Sequence, residues 1–216
     1  MEKSSAGVYQ AGNLSSLEWL HHGFGSRASE GWIREYTGAK QTHSDTVVVS
    51  NGITGSAGEA DALISSELGQ MIGIRTADCV PLLLADPVNR VVAAIHAGWR
   101  GTVADIAAKT VRQMASRFST DPAQLLAAIG PCIGLCCFEV GPEVAQQLQP
   151  LFPEKVDDTH FDLAEANRRQ LAAVGVASGH IETSGLCTFC LAEELHSYRR
   201  EGNLSGRMVA AIGITR

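Results

Sequence analysis

Short runs of apolar and β-branched residues, separated by Gly, Pro, Asn and Asp, set the pattern of this chain. Such runs are typical of strands that are buried on one or both faces. The predicted strands are Thr46–Val49, Ala62–Ile64, Met71–Thr76, Cys79–Asp86, Val91–His96, Leu125–Ile129, Ile181–Thr183 and Arg207–Thr215. Longer segments with apolar residues at helical spacing predict helices at Thr102–Phe118, Gly141–Leu148 and Asp162–Val174.

The order of these elements indicates the fold class. Strands outnumber helices and do not alternate with them regularly, which favours an α+β fold of mixed β-sheets packed together and flanked by helices. The length of 216 residues is close to that of one domain, since domains usually hold roughly 100–200 residues. We therefore expect residues 1–216 to form a single compact domain. The sequence lacks G-x-G-x-x-G and G-x-x-x-x-G-K-[ST], so it does not support nucleotide binding through those glycine-rich loops.

Composition narrows the class of partner. The net charge is −6 and the pI is about 5.6, which argues against a nucleic-acid backbone or an anionic membrane as the main partner. No apolar run approaches the roughly 18 residues that a membrane helix needs. The first residues show no signal-peptide pattern. The expectation is a cytoplasmic protein that acts on a small molecule.

The two strands on either side of Pro87 carry the first candidate chemistry. If Pro87 and Val88 are the central residues of a two-residue turn, Cys79 pairs with His96. Directly opposed residues have Cβ atoms about 4.5–5.5 Å apart, so a thiolate and an imidazole placed in this way can share one zinc ion. A shift of the register by one residue would separate the two side chains.

A catalytic zinc site has three protein ligands and one open position. We take His43 as the third ligand, because it lies just before a predicted strand. Zinc held by His43, Cys79 and His96 would lower the pKa of bound water to about 7. Asp78 could orient a ligand, accept a proton, or form a structural bond on the opposite face of its strand. Asp61 is either a group that supports a ligand or a strand cap.

The segment after His96 could bind an anion. Its sequence, AGWRGT, leads into the predicted helix Thr102–Phe118. The N–H groups and the positive dipole at a helix N-terminus attract anions, and Arg100 would add a guanidinium fork. The alternative is a loop whose glycines turn the chain, with Trp99 packed and Arg100 in solvent.

The six cysteines and seven histidines allow two further kinds of metal chemistry. Cys132 with Cys136, and Cys187 with Cys190, could supply four thiolates to a structural zinc ion. The segment between the two pairs is much longer than the usual roughly 15–20 residues, and Cys137 is left over. We therefore prefer reduced thiols packed under loops. The histidines form no His-x-His pair, which disfavours the chemistry of multicopper oxidases.

Two motifs, TADCVP at residues 76–81 and HAGWRG at residues 96–101, form a specific pattern in this order. Further stretches of the same pattern are Gln41–His43, Glu59–Leu63, Ile129–Gly134, Phe138–Gly141, Cys187–Thr188, Ser197–Arg200 and Gly206–Arg207. In these motifs the chain resembles the bacterial laccase-domain or polyphenol oxidase family, described as zinc-dependent purine nucleoside phosphorylases that include peptidoglycan-editing-factor-like proteins. The resemblance extends from about Phe24 to the C-terminus. One departure is Ala28–Lys40, a shorter segment than the family usually carries ahead of the Gln-x-His motif.

The resemblance implies a fold, a cofactor and an activity. The implied fold has β-sheets flanked by helices and is likened to toxin domains that deamidate proteins with a Cys–His pair. The implied activity is phosphorolysis of adenosine, inosine or methylthioadenosine with phosphate, with adenosine deamination alongside and zinc as the cofactor. The expected site residues are His43, Cys79 and His96 for the metal, Arg100 and Asp78 for catalysis, and Arg27, Gln41 and Asp61 for the substrate.

Two other functions fit the same residues. Cys79 as a nucleophile with His96 as its base would perform acyl transfer or amide hydrolysis, which suits the editing of peptidoglycan precursors. Alternatively, the chain is a zinc-stabilised nucleoside-binding protein that lost its chemistry along with the shortened segment. The sequence leaves the oligomeric state open.

Overall fold

A computed structural model of the protein describes residues 1–29, 31–154 and 159–215. Within these ranges the strands are β1 (Glu2–Lys3), β2 (Tyr9–Gln10), β3 (Leu20–Phe24), β4 (Gly38–Lys40), β5 (Val47–Val49), β6 (Ser56–Glu59), β7 (Ala62–Ser65), β8 (Met71–Thr76), β9 (Val80–Asp86), β10 (Val91–Ala97), β11 (Leu126–Ile129), β12 (Ile181–Thr183) and β13 (Met208–Ile214). The α-helices are α1 (Gly12–Ser15), α2 (Trp99–Val103), α3 (Ile106–Phe118), α4 (Pro142–Leu148), α5 (Leu163–Ala173) and α6 (Tyr198–Glu201). Among the described residues, no helix combines the length and the apolar character needed to cross a bilayer.

The strands form two larger sheets and a small ribbon. The five-stranded sheet has the order β1-β2-β3-β13-β8, and its strands pair antiparallel. The six-stranded sheet has the order β12-β11-β9-β10-β7-β5 and is mixed, because β11–β12 and β5–β7 are parallel pairs. The ribbon consists of β4 and β6. These mixed sheets flanked by helices confirm the predicted α+β class.

The six-stranded sheet is buried on both faces, which explains the continuous apolar runs of β9 and β10. Val80, Leu82 and Leu84 pack on the face covered by the helices. Leu83 and Ala85 point to the other face and pack against residues of the five-stranded sheet. The helices, the six-stranded sheet and the five-stranded sheet therefore stack in three layers.

The segment predicted as one helix, Thr102–Phe118, is divided between two helices, α2 and α3. Asp105 lies between them with a φ of 64°, in the left-handed region that short polar side chains tolerate. Gln170 donates from Nε2 to the carbonyl of Thr102 at 2.7 Å, which occupies an acceptor at the end of α2. The prediction was wrong here because a tertiary hydrogen bond and a left-handed residue interrupt an otherwise helical pattern.

Candidate metal centre and cavity

The hairpin of β9 and β10 differs in register from the prediction. Pro81 pairs with His96, so the predicted pairing of Cys79 with His96 was wrong by two residues. The reason is the turn, which is longer than the two residues assumed. The Asp86 carboxylate accepts hydrogen bonds from the backbone N–H groups two and three residues ahead, at 2.9 and 3.0 Å. Arg90, with a φ of 50°, then completes the reversal.

Cys79 still reaches His96, because the position across the sheet from Cys79 is a glycine. The last ladder pair is Ala97 with Val80, so Cys79 lies just beyond it, opposite Gly98 and diagonal to His96. A Cβ at Gly98 would lie 3.1 Å from the Cys79 sulfur and 3.0 Å from Cδ2 of His43. Diagonal neighbours in a sheet can make contact when nothing stands between them. The missing side chain therefore lets the sulfur and the imidazole approach.

His43, Cys79 and His96 form a compact group. One ligand atom from each residue lies within 4.8 Å of the others. The imidazole rings of His43 and His96 meet edge to face, with their centroids 4.9 Å apart. His43 has a φ of 58° and Asp78, just before Cys79, has a φ of 88°. Left-handed conformations in residues other than glycine concentrate at functional sites, where the surrounding contacts hold them.

A buried carboxylate holds both histidines in place. Oδ1 of Asp61 lies 2.8 Å from Nδ1 of His96 and accepts the backbone N–H of His43 at 3.1 Å. Oδ2 accepts the backbone N–H and the hydroxyl of Ser44, both at 2.7 Å, and the N–H of Thr42 at 3.2 Å. Burial raises the pKa of Asp61, but the hydrogen bonds from His96 and Ser44 outweigh it and hold the pKa well below its usual range. With Nδ1 engaged by the carboxylate, Nε2 of His96 is the nitrogen available to a metal.

The same contacts favour a charged sulfur. Burial raises the pKa of the Cys79 thiol, but hydrogen bonds to His43 and His96 have the larger opposite effect. The resulting pKa is about 6. Burial lowers the pKa of His96, but the hydrogen bonds with Asp61 and Cys79 raise it to about 9. A cysteine in such surroundings gives up its proton readily, and the thiolate is the form that binds metals or attacks electrophiles.

The chemistry of these donors fits a metal ion. One thiolate and two imidazoles suit zinc and other thiophilic transition metals. Three protein ligands are also the number found in catalytic zinc sites, which keep a further position for water or substrate. His43, Cys79 and His96 could therefore hold a metal.

The group lines a cavity of about 770 Å³. This volume falls within the roughly 300–1,000 Å³ typical of small-molecule pockets. The basic residues on its surface are Lys40, Arg75, Arg199 and Arg207, and its larger apolar or aromatic residues are Ile133, Phe138 and Tyr198. The cavity therefore combines positive charge with surfaces that suit a flat ring.

Gln41 and Asp78, both predicted site residues, line this cavity. Gln41 makes two hydrogen bonds to the backbone of Arg75, from Nε2 to the carbonyl at 2.8 Å and from the N–H to Oε1 at 2.7 Å. Asp78 accepts the Thr188 hydroxyl at 2.6 Å and the backbone N–H of Arg199 at 2.7 Å. Each side chain thus connects separate segments of the cavity wall.

Arg27 and Arg100 are not among the residues that line the cavity in the described ranges. Arg27 pairs with Glu201 and donates from Nε to the carbonyl of Leu195 at 3.2 Å. Arg100 is exposed, and its guanidinium lies over the ring of Trp99, 4.2 Å from the centroid. The helix after Gly98 begins at Trp99 and is only five residues long.

The basic residues of the cavity were not predicted from the sequence. Arg199 and Arg207 fall within stretches that support the family resemblance, which was the signal available for them. Lys40 and Arg75 lie in β4 and β8, at positions with no distinctive spacing. Only the packing of these elements brings the four cations to one surface.

Comparisons with known proteins give consistent results. A family model described as "Multi-copper polyphenol oxidoreductase laccase" matches residues 27–215. "Purine nucleoside phosphorylase" of Bacteroides thetaiotaomicron is 45% identical over 163 residues, which are 71% of this chain and 60% of that protein. "Adenosine deaminase RL5" of an unknown prokaryotic organism is 40% identical over 161 residues, 70% of this chain and 61% of that protein. These alignments therefore cover about three-fifths of the length of either relative.

The fold also matches a solved structure. The crystal structure of YlmD from Geobacillus stearothermophilus superposes with a TM-score of 0.87 at 27% identity, over 100% of this chain and 98% of that chain. The likeness extends over all of the layers described above.

Proposed function

Because the chain belongs to the multi-copper polyphenol oxidoreductase laccase family, matched over residues 27–215, we propose that it is a purine nucleoside enzyme. The proposed reaction is phosphorolysis of adenosine, inosine or methylthioadenosine, with adenosine deamination alongside, and the proposed cofactor is zinc. The names of the relatives, purine nucleoside phosphorylase and adenosine deaminase, support this proposal. The observation that carries it is the group of His43, Cys79 and His96 in the wall of a basic cavity.

The metal would be held by those three side chains. Bound there, zinc would supply a Lewis acid at the cavity wall, with a position open to the substrate. Asp61 would keep His96 in the required orientation and tautomer through its contact with Nδ1. Gly98 would leave room for the Cys79 sulfur.

The basic residues would bind phosphate. Arg207 donates from Nη1 to two loop carbonyls at 2.9 Å, and its guanidinium lies 5.6 Å from the centroid of the Tyr198 ring. A guanidinium has five N–H donors in a fork that matches phosphate, so a group held in this way can still present a fork to the anion. Since Arg100 does not line the cavity, Arg207 and Arg199 would bind the phosphate instead.

The apolar surface would bind the purine. Phe138 and Ile133 lie on one loop of the cavity wall and Tyr198 lies at the start of α6. Aromatic and aliphatic side chains bind flat heterocycles through their faces and exclude water from them. The guanidinium groups of Arg207 and Arg199 lie 5.6 and 5.7 Å from the ring centroids of Tyr198 and Phe138, so the purine and the phosphate would bind side by side on this surface.

In the proposed reaction, a phosphate oxygen forms a bond to C1′ of the ribose while the bond from C1′ to N9 of the purine breaks. The purine leaves with the electron pair of that bond and takes up a proton from solvent, while the sugar phosphate that forms releases the hydroxyl proton of the attacking hydrogen phosphate. Arg199 and Arg207 would hold the attacking phosphate in position. Positioning of the reactants and electrostatic stabilisation of the transition state both lower the activation barrier.

The test is a product analysis on purified, zinc-loaded protein. Adenosine, inosine and methylthioadenosine are incubated with and without phosphate, and the products are separated by liquid chromatography. We expect free purine and sugar 1-phosphate only in the presence of phosphate, and inosine from adenosine by deamination. Cys79→Ala should lose both reactions because it removes a metal ligand. Protein with stoichiometric zinc that converts none of the three nucleosides would contradict the proposal.

A matched pair of arginine variants tests the phosphate assignment. Arg207→Gln should raise the KM for phosphate about tenfold or more, since hydrogen bonds to charged groups contribute about 1.5–3 kcal/mol, and should leave the KM for nucleoside unchanged. Arg112→Gln removes an arginine on α3 whose side chain is 59% exposed, and it should change neither constant. Equal phosphate KM values for the two variants would refute the assignment.

A second candidate function is amide hydrolysis with Cys79 as the nucleophile. The observation that favours it is that the Cys79 sulfur lies within 4.8 Å of a His96 ring nitrogen, while Nδ1 of His96 lies 2.8 Å from Oδ1 of Asp61. Such an order of nucleophile, base and orienting carboxylate is that of cysteine hydrolases. The substrates proposed for this activity are peptidoglycan precursors.

Metal dependence separates the two candidates. A hydrolase needs the sulfur free of metal, so chelated protein should react with iodoacetamide at Cys79 and cleave the amide substrate. The phosphorolytic enzyme should lose its activity in the same chelator. A Cys79 thiol that remains inert after chelation would exclude the hydrolase.

A further inference from the structure

Four cysteines outside the His43, Cys79 and His96 group converge in one place. Cys136 and Cys137 lie in the loop after β11, and Cys187 and Cys190 lie in the loop after β12, which pairs parallel with β11. A β-bridge between Cys132 and Cys187 joins the two loops. The four sulfur atoms of Cys136, Cys137, Cys187 and Cys190 lie within 4.8 Å of one another.

The spacing of these sulfur atoms matches the ligands of one metal ion. The distances are 3.7 Å from Cys136 to Cys190, 3.6 Å from Cys137 to Cys136, and 3.5 Å from Cys137 to Cys190. Four thiolates at about 2.3 Å from a tetrahedral zinc ion are about 3.8 Å apart. A disulfide would instead place two sulfur atoms about 2.05 Å apart. The cluster therefore has the dimensions of a tetrathiolate site.

The backbone around the cluster supports thiolate ligands. Gly134 donates its N–H to the Cys187 sulfur at 3.3 Å. A Cβ at Gly134 would lie 3.4 Å from the Cys136 sulfur and 3.3 Å from Cβ of Cys187, so a glycine lets the two loops close. Donors of this kind orient ligands and stabilise their charge.

We propose that Cys136, Cys137, Cys187 and Cys190 bind a structural zinc ion as four thiolates. Structural zinc sites are closed, four-coordinate and often built from cysteines alone. Arg199 donates from Nη1 to the carbonyl of Cys137 at 3.3 Å, which places a positive charge beside a site that carries excess negative charge. The site is separate from the nucleoside chemistry and does not depend on it.

This assignment revises the interpretation made from the sequence. The spacing there favoured reduced thiols, and the alternative set used Cys132 in place of Cys137. Cys132 is 5% exposed and packs in the core between the helices and the six-stranded sheet. Cys137 takes its place because the loop turns back at residues 135–137 and brings two adjacent cysteines to one point.

The ion would hold one wall of the cavity together. Ile133 and Phe138, which lie in the same loop as Cys136 and Cys137, line the cavity. Thr188, between the other two cysteines, donates its hydroxyl to Asp78. Binding of a metal by the folded state alone stabilises that state, so the ion should order both loops.

Metal counting tests the proposal. By elemental analysis, the wild-type protein should carry about two zinc ions per chain and Cys79→Ala about one. The double variant Cys136→Ser/Cys190→Ser should also carry about one, whereas Cys132→Ala, which removes a cysteine outside the cluster, should keep about two. A double variant with the wild-type zinc content would overturn the proposal. Zinc lost from the double variant but unchanged in Cys79→Ala would support this site and contradict the metal centre of the proposed function.

Alkylation of the wild-type protein gives a test that needs no substitution. Cys136 and Cys190 are exposed, so iodoacetamide should modify them rapidly in chelated protein. When the chelator is removed and zinc is added back in molar excess over the protein, mass spectrometry should show that both residues are protected from iodoacetamide. Equal labelling with and without zinc, or a disulfide among the four cysteines in freshly purified protein, would overturn the proposal.

Discussion

Replacing Gly98 by alanine should weaken metal binding at the proposed centre of His43, Cys79 and His96 without disturbing the fold. Gly98 has ordinary extended backbone angles, φ −70° and ψ 175°, and it caps α2, so alanine is compatible with the main chain. The new Cβ would lie 3.0 Å from Cδ2 of His43 and 3.1 Å from the Cys79 sulfur. Because non-bonded atoms are best placed about 3.5–4.0 Å apart, each ligand must move by about 0.5 Å.

This displacement exceeds the tolerance of metal coordination. Ligand distances in genuine sites agree within about 0.2 Å, and disturbing the support of a ligand typically costs 10–100-fold in metal affinity. We therefore expect Gly98→Ala to bind zinc about 10–100-fold more weakly, which corresponds to about 1.4–2.8 kcal/mol. The affinity is measured by competition with a chromophoric chelator. To measure zinc binding at this centre alone, the double variant Cys136→Ser/Cys190→Ser is compared with and without the Gly98→Ala substitution.

Gly141 provides a matched control. It caps α4 with nearly the same angles, φ −75° and ψ 167°, and a Cβ at this position would meet nothing within 4 Å. Gly141→Ala should therefore retain the zinc affinity of the wild-type protein. Both variants lose a favourable cap residue and should show similar small losses of stability without metal. If Gly98→Ala bound zinc as tightly as Gly141→Ala, the argument from ligand packing would be refuted.

Perturbing three other buried residues, by substitution or by a change of pH, should lower the stability of the folded state. Asp61→Asn places an amide against N–H donors and should lower the free energy of unfolding by about 3–5 kcal/mol, measured by urea denaturation in chelator, whereas Asp45→Asn, at an exposed ion pair, should change it by less than about 1 kcal/mol. Burial lowers the pKa of His22 to about 4 from 6.5. The folded state thus resists protonation, and stability present above pH 6.5 should fall by about 3 kcal/mol as the pH drops toward 4; a pH slope unchanged in His22→Gln would contradict this. Gly130→Ala would place a Cβ 2.2 Å from a ring carbon of Phe24 and should cost about 3 kcal/mol by thermal unfolding, and a wild-type melting temperature would contradict this close approach.

Eight of the thirteen strands in the described residues were predicted from the sequence, because their signal is local. Met71–Thr76 and Ile181–Thr183 have the predicted bounds, and each strand of the central hairpin differs from its prediction by one residue at one end. Apolar, β-branched runs bounded by turn residues specify such strands wherever the fold places them. The N-terminal strands β1 and β2 have two residues each, too few to show any alternation.

The cationic surface of the cavity could not be predicted in this way. Arg75 lies in β8, in the first half of the sequence, whereas Arg207 precedes β13, close to its end. These strands are adjacent in the five-stranded sheet, so the two arginines reach one cavity through strand pairing. A single charged residue in a strand or loop has no periodic pattern, so its position becomes informative only when the sheet order is known.

The convergence of His43, Cys79 and His96 was predicted even though the register of the hairpin was wrong, and the structure explains why. Ladder pairing alone would have separated Cys79 from His96, because the Asp86 turn shifts the strands by two residues. The side chains meet because Gly98 leaves the diagonal between them open and because Asp61 fixes the imidazole of His96 and the backbone of His43. The convergence therefore depends on one buried carboxylate and one missing side chain more than on hairpin geometry.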